Sequence, residues 1–391
     1  MLMMREGRKS YWGWARSLTT IIGKTVSKQA IFNRMNQTWV ATVKMLVGEV
    51  LRQQIGKQIK HHLFSGFKNV WLQDSTTLHL PEVLFEKFRG NIIEGKKNSV
   101  AKLNIIVHAL NGLCPLMEWN CFAVTEQYLS SKIISIAKAG DLVIRDLGYF
   151  VLGVFKKMSE TNIFFLSRWR YGVIVYNAKT GGKINLLRLL RGKEWIDLNV
   201  ICGREEQLKL RLVAIKLPSS QASERRRKAR QDRHRNANHS KEYYTLLGYV
   251  VFITNVSDEV WDYRQVAQAY RVRWNIEILF KSWKSGLHIP DMIPEARTNT
   301  ERVESILYLL LLYIAWFQTT VYGPLRWYIH HCGKYLSIIK LAKWIIDNTM
   351  RWLIGKITLG MKKEILYYCC YDTRCRTNAD KRLDQFYTRL A

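Results

Sequence analysis

The run DLVIRDLGYFVLGVFKKMSETNIFFLSRW, residues Asp141–Trp169, decides the fold. DLVIRDLGYF reads as a buried strand, VLGVFKKMSE as a helix and NIFFLSRW as a further strand. Upstream, NVWLQD from Asn69, AKLNIIVHAL and LMEWNCFAV are short runs bounded by turn-prone residues, the pattern of strands. EQYLSSKIISIAKAG then reads as a helix closed by Gly140. Three strands, a helix, a strand, a helix and a strand define a mixed α/β sheet.

The flanking sequence is different in kind. Residues 1–66 read as helical, with SKQAIFNRMNQTWVATVKMLVGEVLRQQI as one helix capped by Ser27, and a DNA contact through Lys28, Arg34 and Lys44 is as plausible there as simple packing. Residues 67–170 carry the first part of the sheet, and 171–245 hold extra β structure in GVIVYN, WIDLNVICG and LKLRLVAIKL. The same region contains SERRRKARQDRHRN, a helical run with eight basic residues in fourteen, His234 included, suited to phosphate contact or to plain solvation. Residues 246–295 return to the sheet with YYTLLGYVVFITNV and continue into a helix from about Ser257, and 296–391 read as a helical tail.

Of the 391 residues, 48% are apolar, enough for a large core and too many for a disordered basic tail. Against 31 Asp and Glu stand 61 Lys and Arg, a formal charge of +30. An excess of that size repels itself and implies a polyanionic partner, nucleic acid first and an anionic membrane surface second. A bilayer span needs about 20 apolar residues. The run Ile306–Phe317 has twelve before Gln318 and so reads as a core helix, with no membrane as partner. MLMMREGRKSYWGWARS is charged from its start and has no signal-peptide core, so no export is implied and a cytoplasmic protein is expected. The seven cysteines form no paired framework, and neither HHCGK nor CCYDTRC has zinc-finger spacing. IIGKT lacks the glycine of a phosphate loop, because Leu18 stands where it is needed. NVS at Asn255–Ser257 is a glycosylation triplet by chance where no export is expected.

YRVRWNIEILFKSWK, Tyr270–Lys284, sets a single acidic residue in a basic stretch. As one α-helix turning about 100° per residue, it puts Tyr270, Arg273, Glu277, Lys281 and Lys284 on one face and Val272, Ile276, Leu279, Phe280 and Trp283 in an apolar stripe. A solvated face with an Arg273–Glu277 pair also fits this window. Asp74 ends the first expected strand in WLQDSTT, and Asp146 lies near the end of the fourth in VIRDLGY. Taken singly, Asp74 suits a turn before Ser75, Thr76 and Thr77, and Asp146 suits an ion pair with Arg145 or Arg168. Taken together they suit a ligand site, since such sites collect at strand ends in open α/β sheets. With Glu277 they make three carboxylates, the hard oxygen donors that a pair of Mg²⁺ ions requires beside a phosphodiester.

These residues resemble a known family. Tyr270, Arg273, Glu277 and Lys284 match the Y-(2)-R-(3)-E-(6)-K signature of the IS4-type DDE transposases, and VWLQDSTT and VIRDLGYF look like the segments bearing its two aspartates. The intervals are 146 − 74 = 72 and 277 − 146 = 131, the longer one resembling the family's β-rich insertion. The resemblance implies an α/β, RNase H-like mixed-sheet catalytic core interrupted by that insertion, between helical N- and C-terminal regions. It implies a Mg²⁺-dependent enzyme, with Mn²⁺ as a substitute, that binds the double-stranded ends of its own element as a homodimer, cleaves there and joins the 3′-OH to target DNA. Carried over by position, Asp74, Asp146 and Glu277 are catalytic and hold metal, and Tyr270, Arg273 and Lys284, with neighbouring Lys281, hold phosphates. Well-studied members stack a flipped base on a Trp of the insertion, for which Trp169 and Trp195 are the candidates here. The part before the core is short for the family, which leaves a second reading: a truncated or catalytically silent DNA-binding relative acting as a repressor.

Overall fold

The computed structural model describes residues 11–54, 59, 61–231, 240–293, 299–349, 351 and 359–371. In chain order, helices α1 (Tyr11–Ile22), α2 (Lys28–Arg34) and α3 (Gln37–Arg52) precede strands β1 (Val70–Leu80), β2 (Arg89–Ile93), β3 (Lys96–His108) and β4 (Leu116–Cys121). Next come α4 (Glu126–Leu129), β5 (Leu142–Arg145), α5 (Leu152–Glu160), β6 (Phe164–Arg168), β7 (Val175–Asn177), α6 (Leu186–Leu190), β8 (Trp195–Cys202) and β9 (Leu208–Lys216). They are followed by α7 (Ser219–Arg230), α8 (Lys241–Leu246), β10 (Tyr249–Thr254), α9 (Tyr263–Arg271) and α10 (Trp274–Lys281). Helices α11 (Thr300–Trp316), α12 (Gly323–His331), α13 (Ile338–Asp347) and α14 (Leu359–Tyr368) complete the described chain. The fold is mixed α/β with helices at both ends. It divides into two compact units: Met1–Lys60, Asp74–Thr125 and Trp274–Ala391 form the first, His61–Gln73 and Glu126–Arg273 the second.

In the second unit β1, β5 and β6 run parallel, then β10, β9, β8 and β7 continue antiparallel. The parallel strands are nearly all apolar because both faces are covered: Leu72, Ile144 and Leu166 are buried. Helix α5 covers one face, with Phe155 stacked on Phe165 at 4.5 Å. Helix α9 packs on β6 and β9 through Val266 and Ala269, both wholly buried. It starts at Tyr263 rather than near Ser257, because Asp262 and Gln265 form a reciprocal capping box there.

The first unit holds the antiparallel ladder β2–β3–β4 and most of the helices. Helix α11 packs on α3, with Val40, Val43 and Val47 buried on one and Val303, Ile306, Leu307 and Leu310 on the other. Glu304 is buried among them and paired with Lys87 at 2.5 Å and Lys44 at 3.6 Å. By length and composition, residues Thr300–His331 would suffice to cross a membrane, but 61% of the most apolar window is buried inside the protein. Helix α10 packs on α13 and on the π-helical turn Ser282–Gly286. A Cβ on Gly286 would stand 2.9 Å from that of Ala342, so only glycine permits this approach.

Four expected elements differ. The single helix from Ser27 is two: Ser27 caps α2, and Asn36 starts α3 afresh by accepting from the Trp39 amide at 3.0 Å. β1 does not stop at Asp74, because the β-branched Thr76 and Thr77 extend it to Leu80 and place Asp74 mid-strand. EQYLSSKIIS is one turn of α-helix followed by a 3₁₀ stretch, where Ser130 and Ser131 spend their hydroxyls on carbonyls. Tyr270–Lys284 is not one helix. Val272 and Arg273 donate to Ala269 and Tyr270 in a tight 3₁₀-type turn, α10 begins at Trp274, and a π turn follows. The two segments have different packing partners, which no single 3.6-residue stripe serves; the apolar positions Val272, Ile276, Leu279, Phe280 and Trp283 are nonetheless all buried.

Candidate active site

The parallel pairing of β1, β5 and β6 ends in one row. Gln73 is registered with Arg145, and Arg145 with Ser167. The residues that follow them in sequence are Asp74, Asp146 and Arg168.

Around Asp146 the chain gathers cations. Its Oδ1 lies 3.5 Å from Arg168 Nη2 and 3.7 Å from Arg273 Nε, and its side chain is one-third exposed (32%). At these distances and exposures each pair contributes at most about 1 kcal/mol. Arg273 is delivered by the tight turn after α9, and Tyr270 by its last turn. The Tyr270 ring packs on Phe252 at 5.1 Å, with the guanidinium carbons of Arg168 and Arg273 at 6.0 and 5.8 Å from its centroid. Burial pushes its phenol up from the ordinary tyrosine value, and the two arginines oppose that shift. The tyrosine and arginine of the signature thus stand beside the second aspartate.

Arg145 is not the partner of Asp146 that the sequence allowed. It is wholly buried, and it donates to Ser130 Oγ at 2.9 Å, to the Ser130 carbonyl and to Gln73 Oε1. Loss of water pushes its guanidinium down to about 9.

The other named residues belong to the first unit. Asp74 is half-buried, with Oδ1 accepting from the Ser75 amide at 2.8 Å. Glu277 and Lys281 are exposed on α10, and Lys284 lies on the π turn, where burial lowers its ammonium from the ordinary lysine value. Among the described residues no group of three or more His, Cys, Asp and Glu stands close enough together to hold a metal ion. The donor chemistry of Asp74, Asp146 and Glu277 is that of hard carboxylate oxygens, which suits Mg²⁺ and Mn²⁺.

Arg168, which the sequence offers only as an ion-pair partner for Asp146, is a further residue of this site. The signal for it was the parallel register of β5 and β6. In the basic run, Arg225 and Arg226 donate to the carbonyls of Tyr249 and Tyr244, while Arg227 and Lys228 pair with Glu224. Arg233, His234 and Arg235 lie outside the described residues. Trp195 is exposed and stacked on Tyr263 at 4.2 Å, and Trp169 lines a cavity of about 460 Å³ with Tyr171 and Leu186.

On this mixed α/β core, the aspartate that follows β5 stands beside two arginines, Arg168 and Arg273. The family described as Transposase DDE domain matches residues 65–312, and the chain belongs to that family, with the IS4-type relatives. It is 26% identical over 354 residues to the transposase of insertion sequence IS231F from Bacillus thuringiensis subsp. israelensis, covering 85% of this chain and 73% of that one. It is 26% identical over 329 residues to the IS1151 transposase of Clostridium perfringens, covering 77% and 68%. A shorter stretch of 87 residues is 36% identical to the putative transposase InsL of IS186A from Escherichia coli, 20% of this chain and 22% of that one. Among solved structures, the piggyBac transposase synaptic complex with hairpin DNA overlaps 80% of this chain and 60% of its own at TM-score 0.39 and 11% identity, a likeness too slight to bear on function. The chain is a DDE-type transposase of an insertion sequence, and the family acts by cutting and transferring DNA.

Proposed function

We propose that this transposase binds the ends of its own element as a homodimer, cleaves them by two-metal hydrolysis and joins the freed 3′-OH ends to target DNA, in the cytoplasm at the nucleoid. The observation that carries the reading is the end of the parallel β1–β5 pairing: the residues after the registered pair Gln73 and Arg145 are both aspartates.

Asp74, Asp146 and Glu277 would hold two Mg²⁺ ions, for which Mn²⁺ can substitute. When bound, such ions lower the pKa of an attacking water and stabilise charge on the leaving oxygen. Arg273 and Arg168, already beside Asp146, would hold phosphate oxygens next to the scissile bond, and Tyr270 would support both through its ring. Lys281 and Lys284 would hold the backbone further along the transposon end.

The test is nicking of DNA that carries the element's terminal repeats, with Mg²⁺ or Mn²⁺. Cleavage that vanishes in Asp146→Asn while end binding persists is the expected result. Binding without cleavage by the unaltered protein would instead support the repressor reading.

A further inference from the structure

Arg145 is a buried charge that the proposed chemistry does not use. A guanidinium in a dry site is costly unless every donor is engaged. A methionine or leucine would fill the same volume at no such cost, so packing alone does not account for an arginine here. Its Nη1 and Nη2 donate to neutral acceptors, the Ser130 hydroxyl and carbonyl and the Gln73 side-chain carbonyl, while Nε is buried with no hydrogen-bond partner.

What these acceptors join explains the choice. Gln73, the last residue of β1 registered with β5, donates its own amide to the Leu129 carbonyl at 2.9 Å. Ser130 Oγ donates to the Tyr149 carbonyl at 3.0 Å, and the Tyr149 amide donates to the Asp146 carbonyl at 3.1 Å. The rings of Tyr149 and Phe155 lie 5.7 and 5.9 Å from the guanidinium carbon. One planar fork therefore ties the last β1 residue paired with β5, the end of β5, the 3₁₀ stretch from Ser130 and the turn after Asp146. Both residues that the fork joins across the strands, Gln73 and Arg145 itself, immediately precede an aspartate. Lysine, with a single nitrogen on a flexible stem, cannot reproduce this geometry.

We infer that Arg145 is a positioning residue that fixes the end of the β1–β5 pairing, from which Asp74 and Asp146 follow in sequence, for divalent metal. The inference rests on the metal-binding reading of those two aspartates. Partners that orient metal ligands commonly change affinity by about 10- to 100-fold when removed.

The experiment is a Mn²⁺ titration of the full chain, read by electron paramagnetic resonance of free Mn²⁺, with circular dichroism reporting the folded fraction. Arg145→Met should weaken Mn²⁺ binding by about tenfold or more per folded molecule, and Arg145→Lys should recover only part of it. Ser130→Ala, which removes one acceptor and leaves the charge, should weaken it by roughly two- to fivefold and decides the matter if Arg145→Met does not fold. Parent-like Mn²⁺ affinity in the folded fraction of these variants would overturn the inference and assign Arg145 to folding alone. Asp146→Asn separates the two layers: if it binds Mn²⁺ as the parent does, the metal reading itself is wrong, and if it loses Mn²⁺ while Ser130→Ala and Arg145→Met do not, only the positioning role fails.

Discussion

Asp146 and Glu277 are carboxylates named for one reaction, and the protein holds them in opposite ways. Asp146 follows a fully buried strand, has arginines at 3.5 and 3.7 Å, and is succeeded by a turn whose amide bonds back to its own carbonyl. Glu277 stands on the exposed side of a two-turn helix whose position is set by Ile276, Leu279 and Phe280 on the other side. The strand-end carboxylate stands among hydrogen bonds and charges, and the helix that carries the other is set by apolar packing.

That contrast can be pressed by substitution. The largest effect expected is on cleavage: Asp146→Asn and Glu277→Gln should each lower nicking by about 10³-fold or more, since each would remove a donor to the proposed metals. On DNA binding, Asp146→Asn also removes a charge that offsets Arg168 and Arg273. Its end affinity should hold or rise, with a steeper salt dependence, in filter binding across a salt series. Next is the packing that sets Glu277. Ile276→Ala should destabilise the fold by about 2–4 kcal/mol in chemical denaturation, a cost that Glu277→Gln should not carry.

Smaller effects belong to the phosphate contacts. Arg273→Ala should flatten the salt dependence of end binding by about one unit of slope, and an unchanged slope would contradict its role. The least change is one of pH. Burial lowers the Lys284 ammonium, so this residue loses its charge at a lower pH than an ordinary lysine. End affinity should therefore decline sooner on the approach to pH 10 in the parent than in Lys284→Arg, whose charge persists.

Much of this was legible in the sequence. The strands bearing Asp74 and Asp146, the helix between β5 and β6, the Ser27 cap and the burial of Ile306–Phe317 all follow from short-range pattern, because burial on two faces and capping leave local marks. The break at Val272–Arg273 left none. No glycine or proline stands there, and the turn tightens because the residues before and after it pack on different elements. Arg168 was hidden for a similar reason: its place beside Asp146 comes from strand register, a property of two segments together. Arg145 looked like a candidate ion-pair partner for its neighbour, and only the three-dimensional path of Ser130 and Gln73 shows where its donors go.

The central claim, that Asp74, Asp146 and Glu277 share divalent metal at the scissile bond, is tested most directly by anomalous scattering from Mn²⁺ in crystals of the chain bound to its transposon-end DNA. Two peaks about 4 Å apart, ligated among these three carboxylates, are predicted. Mn²⁺ bound elsewhere, or a site that lacks any one of the three, would contradict it.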